Sequence, residues 1–213
     1  MNKKVIFAVI LSIVCLASMS ASTFACACCA DPGTYSVTTR RLAQYELTLL
    51  KDMKFGSVVD VYMTEAGWED MRGLTQLVKE FEETSAGALS IADSFTGSVW
   101  TLRITSAAGK VGTITLPRPA MMTSRRIHIP DNTSTSPNVS LYKEWVFNGT
   151  VASGTGFLRG GIVKPSTRYT LLFQGHGNNC DNAEDFSNWR IEIKGPRADY
   201  AFFGKMKAAD IAG

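Results

Sequence analysis

The chain has 213 residues, 45% of them hydrophobic, 19% charged and 10% aromatic, with 18 glycines and 7 prolines. These proportions belong to one globular domain and exclude disordered, collagen-like and coiled-coil chains. The formal net charge of +3 is spread along the chain rather than gathered in a stripe, which excludes a nucleic-acid partner held through phosphate contacts.

In chain order, the first feature is an address. Lys3 and Lys4 precede an apolar run from Val5 to Leu16, and small residues follow up to Ala25. This is the pattern of a secretory signal peptide over residues 1–25, leaving a single secreted β-rich domain over residues 26–213. The run is too short to span a bilayer, and no later stretch approaches the roughly 20 apolar residues that a membrane helix needs. A soluble periplasmic or extracellular protein is expected. Cleavage removes Lys3 and Lys4 from 22 basic residues and none of the 19 acidic ones, so the mature chain is close to neutral. Cleavage after Ala25 also places Cys26 first, which raises lipid anchoring as a minor alternative. The preceding Thr23-Phe24-Ala25 lacks the aliphatic residue that lipidation signals carry three positions before the cysteine.

Cys15 leaves with the signal peptide, so Cys26, Cys28, Cys29 and Cys180 remain. An even number in an exported chain reads first as disulfides, with three pairings open. A bridge between the adjacent Cys28 and Cys29 would be strained, which favours linking one of the cluster to Cys180. That bond would pin the N-terminal arm and close a loop of about 150 residues, worth on the order of 4 to 5 kcal/mol in the entropic view. The alternative is a soft-metal or thiol-redox site for Cu or Zn, built from the same cysteines with His176. The spacing matches neither Cys-x-x-Cys nor His-x-x-x-His.

Leu42, Tyr45, Leu49 and Met53 recur at helical steps and predict a helix, although Leu47 with Leu49 permits a strand. Val59, Val61 and Met63 alternate with Asp60 and Tyr62 as a strand. Leu77, Val78 and Phe81 suggest a second short helix over residues 75–83, and residues 88–92 are a weak strand. Trp100, Leu102 and Ile104 then alternate with Thr101, Arg103 and Thr105. A strand over residues 111–116 follows across Ser-Ala-Ala-Gly-Lys, which makes the pair an antiparallel hairpin.

Residues 117–137 show little sustained alternation and read as a long connection, a length that is functional or merely solvated. Arg125, Arg126 and His128 would form its recognition edge for an acidic or hydroxylated ligand. In a second reading, Ile127 and Ile129 belong to a short edge strand with Arg126 and His128 together on its other face. Residues 141–151 carry Leu141, Trp145 and Phe147 on one face and Tyr142, Glu144 and Val146 on the other, the pattern of a central strand. Strands around Leu171, Ile191 and residues 200–204 complete the set. The expected fold is mainly β, an antiparallel β-sandwich or barrel with one or two short helices near the N-terminus and a disulfide- or metal-linked N-terminal arm.

Motifs for nucleophilic hydrolysis, nucleotide binding and zinc peptidases are absent from the sequence. His176 lies in Gln-Gly-His-Gly-Asn-Asn-Cys, whose glycines allow either a turn or close approach of a ligand to the backbone. Asp181, Glu184 and Asp185 lack EF-hand spacing and read first as an acidic surface loop. Aromatics gather in the C-terminal third, where burial is the ordinary reading and any exposed ring would stack on sugars. The leading expectation is therefore an exported, non-enzymatic binding or structural module of the cell envelope. Its partner would be a small molecule, glycan or envelope protein, met through Arg125, Arg126, His128 and His176. The metal-handling or thiol-redox protein comes second, and an enzyme using His176 with the acids after Cys180 third.

Overall fold

A computed structural model describes residues 33–63, 90–95, 97–106, 109–128 and 141–207. The signal segment, Cys26, Cys28, Cys29 and the expected helix over residues 75–83 lie outside them. The described chain is mainly β. It runs β1 (Tyr35–Arg41), α1 (Gln44–Asp52), β2 (Phe55–Met63), β3 (Ser90–Ser94), β4 (Val99–Thr105), β5 (Val111–Pro117) and β6 (Met121–His128). It continues through β7 (Leu141–Thr150), β8 (Ser153–Thr155), β9 (Arg168–Gly177), β10 (Phe186–Gly195) and β11 (Ala198–Met206), with a 3-10 turn at Ala183–Asp185. All strand pairs are antiparallel and form two sheets, β1-β6-β7-β9-β10-β11-β2 and β3-β4-β5-β8. No helix among the described residues is long and apolar enough to cross a membrane.

Alternation in the sequence becomes two facing layers. From the smaller sheet, Trp100, Leu102, Ile104, Ile114 and Leu116 point into one core; from the larger, Trp145, Phe147, Phe173, Trp189, Ile191 and Phe202 meet them. Burying such large side chains removes most of their apolar surface from water, which drives the sheets together in a sandwich-like arrangement. Aromatic edges join the layers: Trp100 meets Phe147 at 5.3 Å and 83°, and Phe95 meets Trp100 at 5.3 Å and Phe173 at 5.7 Å. Phe55 lies flat on Trp189 at 4.4 Å. The β4–β5 hairpin closes as the sequence predicts, with Gly109 at φ +76° in its turn.

The connection expected over residues 117–137 is partly a strand. β6 pairs with β7 along one side and β1 along the other, so it is interior to the sheet and not at its edge. Met122 and Ser124 are buried on its core face, with Arg126 and His128 following on the same face as the strand reading requires. Those polar inward residues erase the apolar alternation by which a strand is recognised. β1 is exposed along most of its length and held by backbone pairing and a Thr39–Thr123 hydroxyl contact of 2.9 Å, so its side chains announce nothing.

Trp100 is fully buried between the layers. Trp100→Ala is expected to lower the unfolding free energy by about 3 to 5 kcal/mol in urea titrations followed by circular dichroism, the range for deleting a large buried aromatic.

Candidate functional site

Two polar constellations occupy opposite faces of the seven-stranded sheet. The first is internal. Lys143 stands on the core face of β7 between Leu141 and Trp145 and is only 1% exposed. Its Nζ lies 2.6 Å from Asp185 Oδ2 and 3.5 Å from Asp181 Oδ1, and it donates to the Cys180 carbonyl. Directly across the strand pair, Arg126 gives Nη2 to Asp181 Oδ2 at 2.7 Å. Arg40, near the end of β1, pairs with Glu46 of α1, and Tyr45 donates its hydroxyl to the Asp181 carbonyl. Three cations and three carboxylates therefore balance around the chain between β9 and β10.

Glycine makes this approach possible. A Cβ on Gly175 would fall 1.7 Å from the Asp185 carbonyl oxygen, and one on Gly177 would fall 2.3 Å from Asp185 Cγ. The two glycines around His176 thus admit the chain's own Asp185 onto the sheet. His176 itself turns to the outer face, where it meets the Tyr142 ring edge to face at 5.6 Å.

The outer face carries the second constellation. Tyr142 donates to Glu144 Oε1 at 2.5 Å, Gln174 reaches both at 2.8 and 3.1 Å, and Arg125 Nη1 binds Glu144 Oε2 at 2.9 Å. Burial and the neighbouring Glu144 push the Tyr142 phenol up to about 12. Burial works to raise the Glu144 carboxyl, but hydrogen bonds from Tyr142, Gln174 and Arg125 outweigh it and hold the group below the usual carboxylate range.

Beside this cluster, β9, β10, β11 and β2 line an open groove of about 880 Å³. Two register shifts lie at its end, one between β9 and β10 near Asn188 and one between β11 and β2 near Gly204. Such bulges bend strands and sharpen twist, which hollows an otherwise flat face. Tyr62 (60% exposed), Phe203 (38%) and Val58 supply apolar surface, and Gln174, Asn188 and Asp60 supply hydrogen-bonding groups. Of the lining cations, Arg190 contacts Glu192 at 3.0 Å and Lys205 donates to the Asn188 amide oxygen at 2.8 Å.

The residues singled out by sequence separate accordingly. Arg125 and His176 are on the outer face; Arg126 and His128 are on the core face, where His128 Nδ1 accepts the Gly33 N–H at 2.7 Å. The Cys180 carbonyl meets Lys143 from the core side, while the His176 ring lies on the outer face. Among the described residues, no group of three or more His, Cys, Asp and Glu is arranged to hold a metal. Of the aromatics in the C-terminal third, Trp145, Phe147, Tyr169, Trp189, Tyr200 and Phe202 are buried and Phe203 is exposed. Tyr62, which alternates with Val59 and Val61 in the sequence, is outward as that parity implies, but the parity alone does not mark it as a binding residue. No protein-family model, curated protein or solved structure matches the chain.

The titrations set a pH window. Glu144 and Glu46 titrate lower in the folded chain, so they add stability that is fully present above the ordinary value of 4.5 and lost as pH falls below it. Tyr142 acts in the opposite sense, its contribution present below 10 and lost as pH rises from 10 to about 12. Urea midpoints measured across pH should fall at both ends, and Glu144→Gln should reduce the loss on the acid side.

Proposed function

We propose that this chain is an exported binding module that takes a neutral glycan in the outer groove of the seven-stranded sheet. The observation that carries this reading is the pair of exposed rings, Tyr62 and Phe203, set beside amide and carboxylate groups in one groove. A sugar ring has apolar C–H faces and a rim of hydroxyls. Aromatic rings accept the faces, while Asn188, Gln174 and Asp60 exchange hydrogen bonds with the rim. The surface ion pairs beside the groove are weak, so ionic strength separates the two ligand classes: a neutral sugar should bind independently of salt and an ionic ligand should not.

The N-terminal arm serves this reading as a staple, with one of Cys26, Cys28 and Cys29 joined to Cys180. His128, Leu141 and Gly177 lie in one register row, two strand spacings wide or about 10 Å. Gly33 is held on His128, Cys29 lies four residues before it, and Cys180 lies three residues past Gly177. At up to about 3.6 Å per residue, this chain length spans the row. The signal-like segment at residues 1–25 supports delivery to an oxidising compartment where such a bond persists.

Calorimetric titration against a panel of neutral oligosaccharides tests the groove. Binding should persist at high salt, and Tyr62→Ala and Phe203→Ala should each weaken it about tenfold, equal to about 1.4 kcal/mol, without shifting the melting temperature. Binding that is unchanged in both variants, or no binding across the panel, would overturn the assignment.

A further inference from the structure

Lys143 is a primary amine almost sealed from solvent, with one carboxylate in contact and a second behind it. The two acids differ. Asp181 Oδ2 is committed to Arg126 at 2.7 Å, while its buried Oδ1 accepts no hydrogen bond among the described residues and faces the amine at 3.5 Å. Asp185 Oδ2 touches Nζ at 2.6 Å and also receives the Asn182 backbone N–H at 3.2 Å. Gly177 leaves space for the Asp185 carboxyl, since any Cβ there would stand 2.3 Å from its Cγ.

We propose that Lys143 and Asp185 condense to a side-chain amide, with Asp181 as the acid–base group, cross-linking β7 to the turn that precedes β10. Nζ attacks Cγ of Asp185; one N–C bond forms and one C–O bond breaks. Two of the three protons of the ammonium group end on the departing carboxylate oxygen, which leaves as water. Asp181 Oδ1 takes a proton from nitrogen and returns it to the departing oxygen, while the Asn182 N–H donates to Oδ2, the oxygen that stays as the amide carbonyl and carries the negative charge of the tetrahedral intermediate. No oxidant, reductant or cofactor enters the balance.

Two physical terms favour the step. Holding amine and carboxyl in contact replaces a bimolecular encounter by an effectively unimolecular one, and effective molarities for such pairs are very large. Condensation also removes one positive and one negative charge from a site where each is costly to keep desolvated, and leaves a neutral amide. An ordinary surface ion pair has neither advantage, because water solvates both ions and competes for the carbonyl carbon. The inference does not depend on what the outer groove binds.

The test is mass spectrometry of the full mature chain, reduced, alkylated and denatured. The expected mass is lower than that of the sequence by one water, about 18 Da, a covalent change that reduction cannot remove. Trypsin should fail to cut after Lys143, and the peptide ending at Arg159 should be joined to the peptide running from Tyr169 to Arg190. Fragmentation should place the junction between Lys143 and Asp185. Lys143→Arg and Asp185→Ala should each restore the full mass, and Asp181→Asn should do so while its far-ultraviolet circular dichroism stays that of the parent. The map of the unmodified sequence decides the matter even where a variant fails to fold. A chain of full mass that is cut after Lys143 would overturn the proposal. So would a water loss in an unbranched peptide, which marks an aspartyl succinimide. A junction at Asp181 would overturn the assigned partner, and an undiminished mass deficit in a folded Asp181→Asn would overturn its acid–base role.

Discussion

A single lysine at the margin of the core dictates how one end of this molecule is built. Lys143 occupies a position in β7 that alternation reserves for an apolar residue, between Leu141 and Trp145. A charge taken out of water costs several kcal/mol unless close partners replace its hydration. Asp185 and Asp181 provide them, and they reach the sheet only because β9 ends in glycines. Asp181 then draws in Arg126, its carbonyl accepts Tyr45, and Arg40 joins through Glu46 at the start of α1. Charge thus locates the edge strand β1 and the segment between β9 and β10, and it adds to the apolar packing of Leu50 and its neighbours that seats the helix.

The same sheet separates structure from recognition by parity alone. Arg125 and Arg126 are adjacent, yet one completes the outer Tyr142–Glu144–Gln174 cluster and the other the buried one. Side chains alternate strictly along a strand, so a slip of one residue in β6 would exchange the two faces and put Ile127 or Ser124 where one of the two clusters needs its arginine. The outer groove can therefore vary its side chains without disturbing the ionic cluster. The sheet itself lies between them.

The legible parts of the fold were those where apolar residues alternate over a whole strand. β4, β5, β9 and β10 each bury every second residue against the opposite layer, and the sequence displays this directly. β6 defied that reading because Ser124, Arg126 and His128 point inward toward polar neighbours. β8 is three residues long, too short for a period to show. The buried cluster was invisible for a different reason. Its members come from β1, α1, β6, β7 and the chain before β10, so no local spacing joins them, and Asp181 and Asp185 looked like an ordinary acidic loop until Lys143 was found beneath them. The groove was half legible: Phe203 stood among the aromatics, and Tyr62 lay plainly on the outward parity of its strand.

The order of strands has a consequence for how the chain is assembled. The seven-stranded sheet places β1 and β2, the first strands described, at its two outer edges, and every strand between them comes from residue 121 onward. A chain delivered N-terminus first, by a ribosome or a translocation channel, presents these two strands long before their partners exist. β2 pairs with β11, which ends at Met206, so its hydrogen bonds wait for nearly the whole polypeptide. Closure over such sequence separations is slow, because loop entropy is lost before any contact repays it. The topology leaves β1 without its partner until β6 has emerged and β2 without its partner until β11 has, a threadable state that a hairpin between the two would have forfeited.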